Sequence, residues 1–224
     1  MENKGEELFL EHARLAIMDQ PGLRLDHSGL KLTGQINLIG KDGLLIDEYD
    51  VQVEYRLGYP EVFPFVFETG GKIPVNVEWH VFESDGHLCL CTTTDEYIKA
   101  AGGLELASFI KTELLPYLFN QTHRRMTGFF LQEMAHGEVG ELATLKTLLK
   151  TPLLGNVRWI LLKITNGFHQ DRTSICFCGS KQKYRHCHRD AIDQLKPIRI
   201  ERLMRLVKII ETSAEFAYQN LPAS

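Results

Sequence analysis

The sequence predicts an α+β fold in two parts, an antiparallel sheet flanked by helices and then a small cysteine-rich and helical unit. Three observations carry this reading. Apolar residues alternate with polar ones over two stretches, residues 30–38 and 49–57, they recur at helical spacing from residue 106 onward, and cysteine and histidine crowd into residues 176–188.

The first helix is read from Phe9, Ala13, Ala16 and Ile17, which share one face over residues 6–18, and Pro21-Gly22 ends it. Leu30, Leu32, Ile36 and Leu38 then alternate with polar residues, Gly40-Lys41-Asp42-Gly43 supplies a turn, and Tyr49, Val51, Val53, Tyr55 and Leu57 alternate again. A hairpin with one buried face is expected, because successive side chains on a strand point to opposite sides. After Gly58-Tyr59-Pro60, Phe65 to Glu68 reads as a third short strand and Gly70 to Glu83 as irregular. Asp85-Gly86 is a turn that delivers the chain into His87-Leu88-Cys89-Leu90-Cys91. Helical spacing follows through Leu106, Ile110, Leu114 and Leu118, with a kink expected at Pro116. It continues through Met126, Phe129, Phe130 and Met134, and then through Leu142, Leu145 and Leu149. Thr151-Pro152 and Gly155-Asn156 mark a boundary, so residues 1–150 and 151–224 are expected as two domains. The second should end in one helix from about Ile198, with Ile200, Leu203, Val207, Ile210 and Ala214 on one face.

With 224 residues and 44% hydrophobic content, the chain can bury one substantial core and a smaller second one. Its start lacks the basic and apolar regions of an export signal, and its longest aliphatic or aromatic runs are as short as Trp159 to Leu162. No membrane span and a cytoplasmic location are therefore expected. The net charge of -4 conceals an asymmetry, since residues 151–224 hold 12 Lys+Arg against 6 Asp+Glu and residues 1–150 hold 13 against 23. A basic region of this kind fits an acidic protein surface, nucleic acid, or simply a solvated helical face. Lys181, Lys183, Arg185, Arg189, Arg199, Arg202 and Arg205 could meet phosphates, but Phe177 and Tyr184 are the only aromatic residues among them up to Arg189, which speaks against nucleic acid.

All five cysteines fall in two groups, Cys89 with Cys91 and Cys176 with Cys178 and Cys187, which points to metal or catalysis rather than disulfides. Cys176, Cys178, Cys187 and His188 offer four ligands within thirteen positions, the number a closed structural zinc shell requires. Gly179-Ser180 lets the chain reverse between the two pairs, and Lys181, Lys183, Arg185 and Arg189 can offset the excess negative charge of three thiolates. The segment Cys176 to His188 resembles the SEC-C zinc motif, known from the C-terminal tail of the bacterial preprotein translocase ATPase and as an addition to many bacterial proteins. That resemblance implies a structural Zn2+ knuckle at about residues 174–190 that serves interaction. Four protein ligands leave no open position for substrate.

The order helix, antiparallel strands, Tyr59-Pro60, Phe63-Pro64, His80, then Gly86, Leu88, Cys89 and Leu90, then helices, resembles a ubiquitin-conjugating enzyme over residues 1 to about 120. The resemblance implies a UBC fold in which Cys89 accepts a ubiquitin-like C-terminus, or another protein's C-terminal glycine, as a thioester and passes it to an amine. A thiolate is the nucleophile in such exchange. His87 shares a strand face with Cys89, two residues away, and could favour the thiolate or take a proton from the amine. His80 and Asp95 complete the candidate set, Asp95 or Glu96 as an acidic group that steers or deprotonates the acceptor. Eukaryotic members carry His-Pro-Asn where this chain has His80-Val81-Phe82, so oxyanion stabilisation falls to backbone N–H groups or to Thr92, Thr93 or Thr94. That divergence is similar to bacterial relatives from antiphage and ubiquitin-like conjugation operons, which implies an activating enzyme, a modifier and a cyclic-nucleotide synthase as partners. Cys91 competes with Cys89 as a thiol or as half of a second metal site, and a buried packing cysteine is the plain alternative for Cys89. The corresponding alternative for the whole chain is an inactive adaptor of UBC or RWD-like shape with a zinc interaction module.

Overall fold

A computed structural model describes residues 2–26, 29–133 and 137–220. Helix α1 (Glu2–Asp19) precedes strands β1 (Leu23–Asp26), β2 (Lys31–Ile39), β3 (Leu45–Glu54) and β4 (Phe65–Glu68). Helices α2 (Thr93–Ala100), α3 (Leu106–Phe109), α4 (Leu115–Thr127), α5 (Gly137–Leu148), α6 (Leu154–Thr165), α7 (Arg189–Leu195), α8 (Ile200–Thr212) and α9 (Ala214–Gln219) follow. The fold is α+β, and the chain divides into two compact units, Met1–Cys91 with Gly102–Met134, and Thr92–Ala101 with Ala135–Ser224.

In the first unit the period-two pattern does what a half-buried sheet needs. The four strands form an antiparallel meander in the order β1-β2-β3-β4, with Leu32 opposite Val53, Ile36 opposite Tyr49 and Val53 opposite Val66. Leu32, Ile36, Tyr49, Val51, Val53 and Val66 are all buried. Phe9, Ala13 and Ala16 of α1 are fully buried too, as their shared face predicts. One strand is added to the sequence expectation. Leu23 to Asp26 pairs with Lys31 to Gly34, and four residues directly behind Pro21-Gly22 are too few to display a period.

The helix predicted through Leu106 and Leu118 is a continuous run of α3, a π-helical turn at Ile110–Leu114, and α4. Pro116 stands in the first turn of α4. Lacking an N–H, it cannot close the regular ladder, and the widened turn just before it takes the place of the expected kink. Leu106, Phe109, Ile110, Leu114 and Leu118 line the core. The helix ends at Gly128, so Phe129 and Phe130 lie beyond it rather than on its face; Met134 lies outside the described residues.

The second unit corrects the expected cut at residue 150. Leu142, Leu145 and Leu149 share one core with Leu154, Val157 and Ile160, with Ile192, Leu195, Leu203, Leu206 and Ile210, and with Tyr97 from α2. Burial of these side chains, not the local turn at Thr151-Pro152, defines the unit, and Gly155-Asn156 sits inside the first turn of α6. The single terminal helix is also corrected. Ser213 interrupts it, because its Oγ accepts a hydrogen bond from Phe216 N–H and so starts α9 as an N-cap. Among the described residues no helix is long and apolar enough to cross a membrane.

Candidate metal centre and candidate active site

The cysteine-rich segment is a tight knuckle built on backbone pairing. Ile175 forms an antiparallel bridge with Lys183, Cys176 N–H donates to Gln182 O at 2.8 Å, and Tyr184 N–H donates to Ser174 O at 2.9 Å. Gly179 reverses the chain at φ +78, a left-handed value that a side chain would strain. A short 3-10 turn, Tyr184–His186, then returns Cys187 and His188 to the first pair, just before α7. Tyr184, Cys176 and Cys187 belong to the helical core, so the knuckle is a wall of this unit rather than an appended tail.

The donor atoms of Cys176, Cys178, Cys187 and His188 all lie within 4.8 Å of one another. Cys178 Sγ and Cys187 Sγ are 3.5 Å apart, Cys187 Sγ and His188 Nδ1 are 3.1 Å apart, and Cys176 Sγ and His188 Nδ1 are 3.4 Å apart. Zinc–sulfur bonds of about 2.3 Å at tetrahedral angles set neighbouring sulfurs roughly 3.8 Å apart, so three sulfurs and one imidazole nitrogen at these distances fit a zinc ion. The histidine is held for this role by its other nitrogen. His188 Nε2 lies 2.7 Å from Leu149 O and donates its proton there, which leaves Nδ1 bare and facing the sulfurs. Three of these four residues are buried, and Cys178 is exposed. Burial pushes the Cys176 thiol up to about 11; burial likewise opposes ionisation of Cys178, but hydrogen bonds from Ser180, Cys187 and Cys176 together outweigh it and hold that thiol down to about 6. Sequence reading missed Ser180 Oγ, 3.4 Å from Cys187 Sγ, and Lys150 Nζ, which donates to Cys187 O at 2.8 Å.

In the first unit, Asp85-Gly86 makes the predicted turn. Gly86 stands at φ +84 and donates to Phe82 O at 2.8 Å. The returning strand is held on both sides: Leu88 N–H donates to Val66 O at 2.7 Å, Cys89 N–H to His80 O at 2.8 Å, and Phe82 N–H to His87 O at 2.9 Å. Residues 87–89 are therefore extended between β4 and Val81, with Leu88 turned into the core and His87 and Cys89 sharing the other face. Cys89 is half-buried, and its Sγ points toward Cys91 O at 3.9 Å. His87 Nδ1 lies 2.6 Å from Asp85 Oδ1, and its ring stacks on Phe82 at 4.1 Å between centroids.

The remaining candidates take other positions. His80 is buried, 2% exposed, with its ring against Phe130 at 5.0 Å and its Nε2 3.9 Å from Glu133 Oε1. Its backbone carbonyl is what meets Cys89. Asp95 belongs to the second unit, where it closes the N-terminus of α2: its N–H donates to Thr92 Oγ1 at 3.2 Å, and Thr92 Oγ1 donates to its Oδ2 at 3.0 Å. Thr94 is fully buried and its hydroxyl donates to Glu141, whose carboxylate also accepts from the N–H groups of Thr93 and Thr94 at 2.7 and 2.9 Å. The Thr92 and Thr94 hydroxyls are thus engaged in holding α2. Sequence reasoning missed Tyr117, one helix turn from Leu114 on the buried face of α4. Its hydroxyl is directed at Trp79 O (3.2 Å) and His80 O (3.0 Å), and burial and then the nearby Cys89 push its phenol well above the ordinary tyrosine range.

Among the described residues, the knuckle is the one place where three or more Cys, His, Asp or Glu donors converge. Comparison with curated proteins and with solved structures gave no match. Comparison with protein families gave one in the knuckle: residues 172–190 match the SEC-C motif.

Proposed function

We propose that the chain is a ubiquitin-like protein transferase that carries a modifier, or another protein's C-terminus, as a thioester on Cys89 and passes it to an amine, with the zinc knuckle as a structural and interaction module. One observation carries the reading: a half-buried cysteine sits on an extended strand, right after a tight turn, with its N–H tied to the His80 carbonyl and a histidine on the same face. The helix, the four-stranded antiparallel meander and the following helix run also agree in order with a UBC fold. A thioester carrier needs a reachable sulfur, and the half-buried position of Cys89 at the end of this extended segment supports that requirement. Zn2+ held by Cys176, Cys178, Cys187 and His188 would tie the knuckle to the helical core and supply no chemistry to the transfer. The partners of this reading are a modifier with a C-terminal glycine, its activating enzyme and, in an antiphage setting, a cyclic-nucleotide synthase.

The test uses the full chain with a ubiquitin-like modifier ending in glycine, an activating enzyme that charges that modifier, and ATP. A thiol-sensitive adduct should form, Cys89→Ser should turn it into a thiol-resistant ester, and Cys91→Ser should leave it intact. A thiol-sensitive adduct that survives Cys89→Ser overturns the reading.

A second reading, an inactive adaptor of UBC or RWD-like shape with a zinc module, is favoured by the enclosed ring of His80 and by Val81-Phe82 in place of Pro-Asn. On that reading Cys89 never acquires an acyl group.

A further inference from the structure

The helical unit holds a cavity of about 700 Å³ between the first turn of α6 and the knuckle, a size that suits planar organic ligands. Trp159, Ile160 and Phe177 give it apolar lining, and Lys150, Asn156 and Gln182 stand among its polar residues. A second cavity of about 350 Å³ adjoins it, and Trp159 lines both. Trp159 is 43% exposed, although tryptophan is on average a well-buried residue. Its ring meets Phe177 at 5.5 Å with a 52° tilt, and Phe168 packs edge-on against Phe177 at 5.1 Å.

No acidic side chain lines either cavity. Lys150 lines the larger one, Lys163 lines the smaller with its Nζ 4.6 Å from the Trp159 ring centroid, and Lys181 and Lys183 flank Gln182 in the knuckle. Among the described residues none of these four lysines pairs with a carboxylate, whereas Lys146, Arg158, Arg189 and Lys196 do. Lys150 gives one N–H to Cys187 O and keeps two for a ligand. The sequence shows only Phe177 and Tyr184 among the basic residues of the knuckle; the fold adds Trp159 from α6 and Phe168 from the loop behind it.

From this we infer that the two cavities bind single-stranded nucleic acid, with bases stacked on Trp159 and Phe177 and phosphates held by Lys150, Lys163, Lys181 and Lys183. Every base has a face that stacks on an aromatic ring, and lysines along the same groove track the backbone. Base edges also bring N–H donors to the sulfurs of Cys178 and Cys187 on the cavity wall, which an acidic peptide side chain lacks. A duplex keeps its bases stacked on one another, and a free nucleotide fills one cavity without using all four lysines. The inference does not depend on Cys89.

The experiment titrates zinc-loaded full-length protein into labelled oligothymidylate and oligouridylate strands and follows anisotropy and tryptophan fluorescence. Both strands should bind and quench the fluorescence, and raising salt from 50 to 200 mM should weaken binding about 50-fold, the counterion release expected for about four phosphates. Trp159→Ala should weaken binding at least about tenfold and remove the quench. Gly155 stands in the first turn of α6 at the cavity, where a Cβ would meet no atom within 4 Å and a carboxylate favours the helix. Gly155→Asp should therefore keep the fold and weaken binding about tenfold by repelling phosphate, while Gly155→Asn, equal in size and neutral, should bind like the parent. Binding that Trp159→Ala and Gly155→Asp leave unaltered overturns the inference, as does equal competition by duplex DNA, by thymidine or uridine monophosphate, or by oligoglutamate. Absence of any anisotropy change overturns it too and leaves the transferase reading in place.

Discussion

The knuckle and the Cys89 loop both present cysteine sulfur, but they differ in how much of the chain makes them what they are. In the knuckle, four donors come from thirteen consecutive positions and converge within 4.8 Å, and the Leu149 carbonyl and the Lys150 ammonium reach in from just upstream. At Cys89, the sulfur's setting is assembled from β4, the turn at residues 82–86, the carbonyl of His80 and the hydroxyl of Tyr117, which are scattered over some fifty residues. A local site announces its chemistry through spacing. A dispersed one depends on tertiary packing, and its chemistry rests on what lies around a single atom.

This contrast can be broken most sharply by removing metal. A strong chelator, or Cys176→Ala, should melt the helical core of the second unit, since structural zinc sites contribute on the order of 10 kcal/mol of apparent binding free energy. Circular dichroism with zinc quantification should show loss of helix along with loss of one zinc per chain; a core that keeps its melting temperature without metal would erase the distinction. A second measurement compares the sulfurs directly. In zinc-loaded native protein, iodoacetamide should modify Cys89 at least about 100-fold faster than any knuckle cysteine, because metal-bound thiolates are shielded and a half-buried thiol is not. Peptide mapping after timed quenching reads the ratio.

Tyr117→Phe sharpens the dispersed side. Deleting the hydroxyl that faces Trp79 O and His80 O should cost about 1 to 2 kcal/mol in denaturant unfolding and raise the Cys89 alkylation rate severalfold, with zinc content unaltered. The smallest effect concerns Asp47, which the first unit holds among Lys72, Thr122 and Arg125 at 2.7 to 2.9 Å. Burial opposes its ionisation, but hydrogen bonds from Lys72, Glu48 N–H and Thr122 win, and the carboxyl falls from 3.8 to about 2. A depressed folded value means that this contribution is fully present above about pH 4 and is lost as pH falls toward 2. Given the partial exposure of Lys72 and Arg125, it amounts to about 1 kcal/mol, and Asp47→Asn should flatten the stability profile only in that acid window.

The legibility of the two sites follows from the same contrast. The knuckle ligands, the buried face of β2 and β3 and the Asp85-Gly86 turn were readable because each is encoded within a few residues of itself. Glu141 was not readable as the cap of α2, because nothing near Thr93 or Thr94 in sequence reveals a carboxylate forty-seven positions on. The same holds for Tyr117 facing His80. The boundary near residue 150 misled for a related reason: a proline and a glycine report local backbone preference, whereas the unit is defined by where Leu145, Leu149 and Tyr97 are buried. Phe129 and Phe130 kept a helical spacing that the left-handed residue Gly128 had already cut.

Residues 92–101 lie between two stretches of the first unit yet belong to the second, with Tyr97 in its core and Thr93 and Thr94 bound to Glu141. A portion woven this way cannot travel as a cassette. Gene fusion or recombination that carried off residues 135–224 alone would leave behind the ten-residue plug that fills the slot for Tyr97, and would strand Glu141 with three unmet partners. Inheritance of the helical part and its cysteine cluster is thereby locked to inheritance of residues 92–101 and of the chain on either side of them.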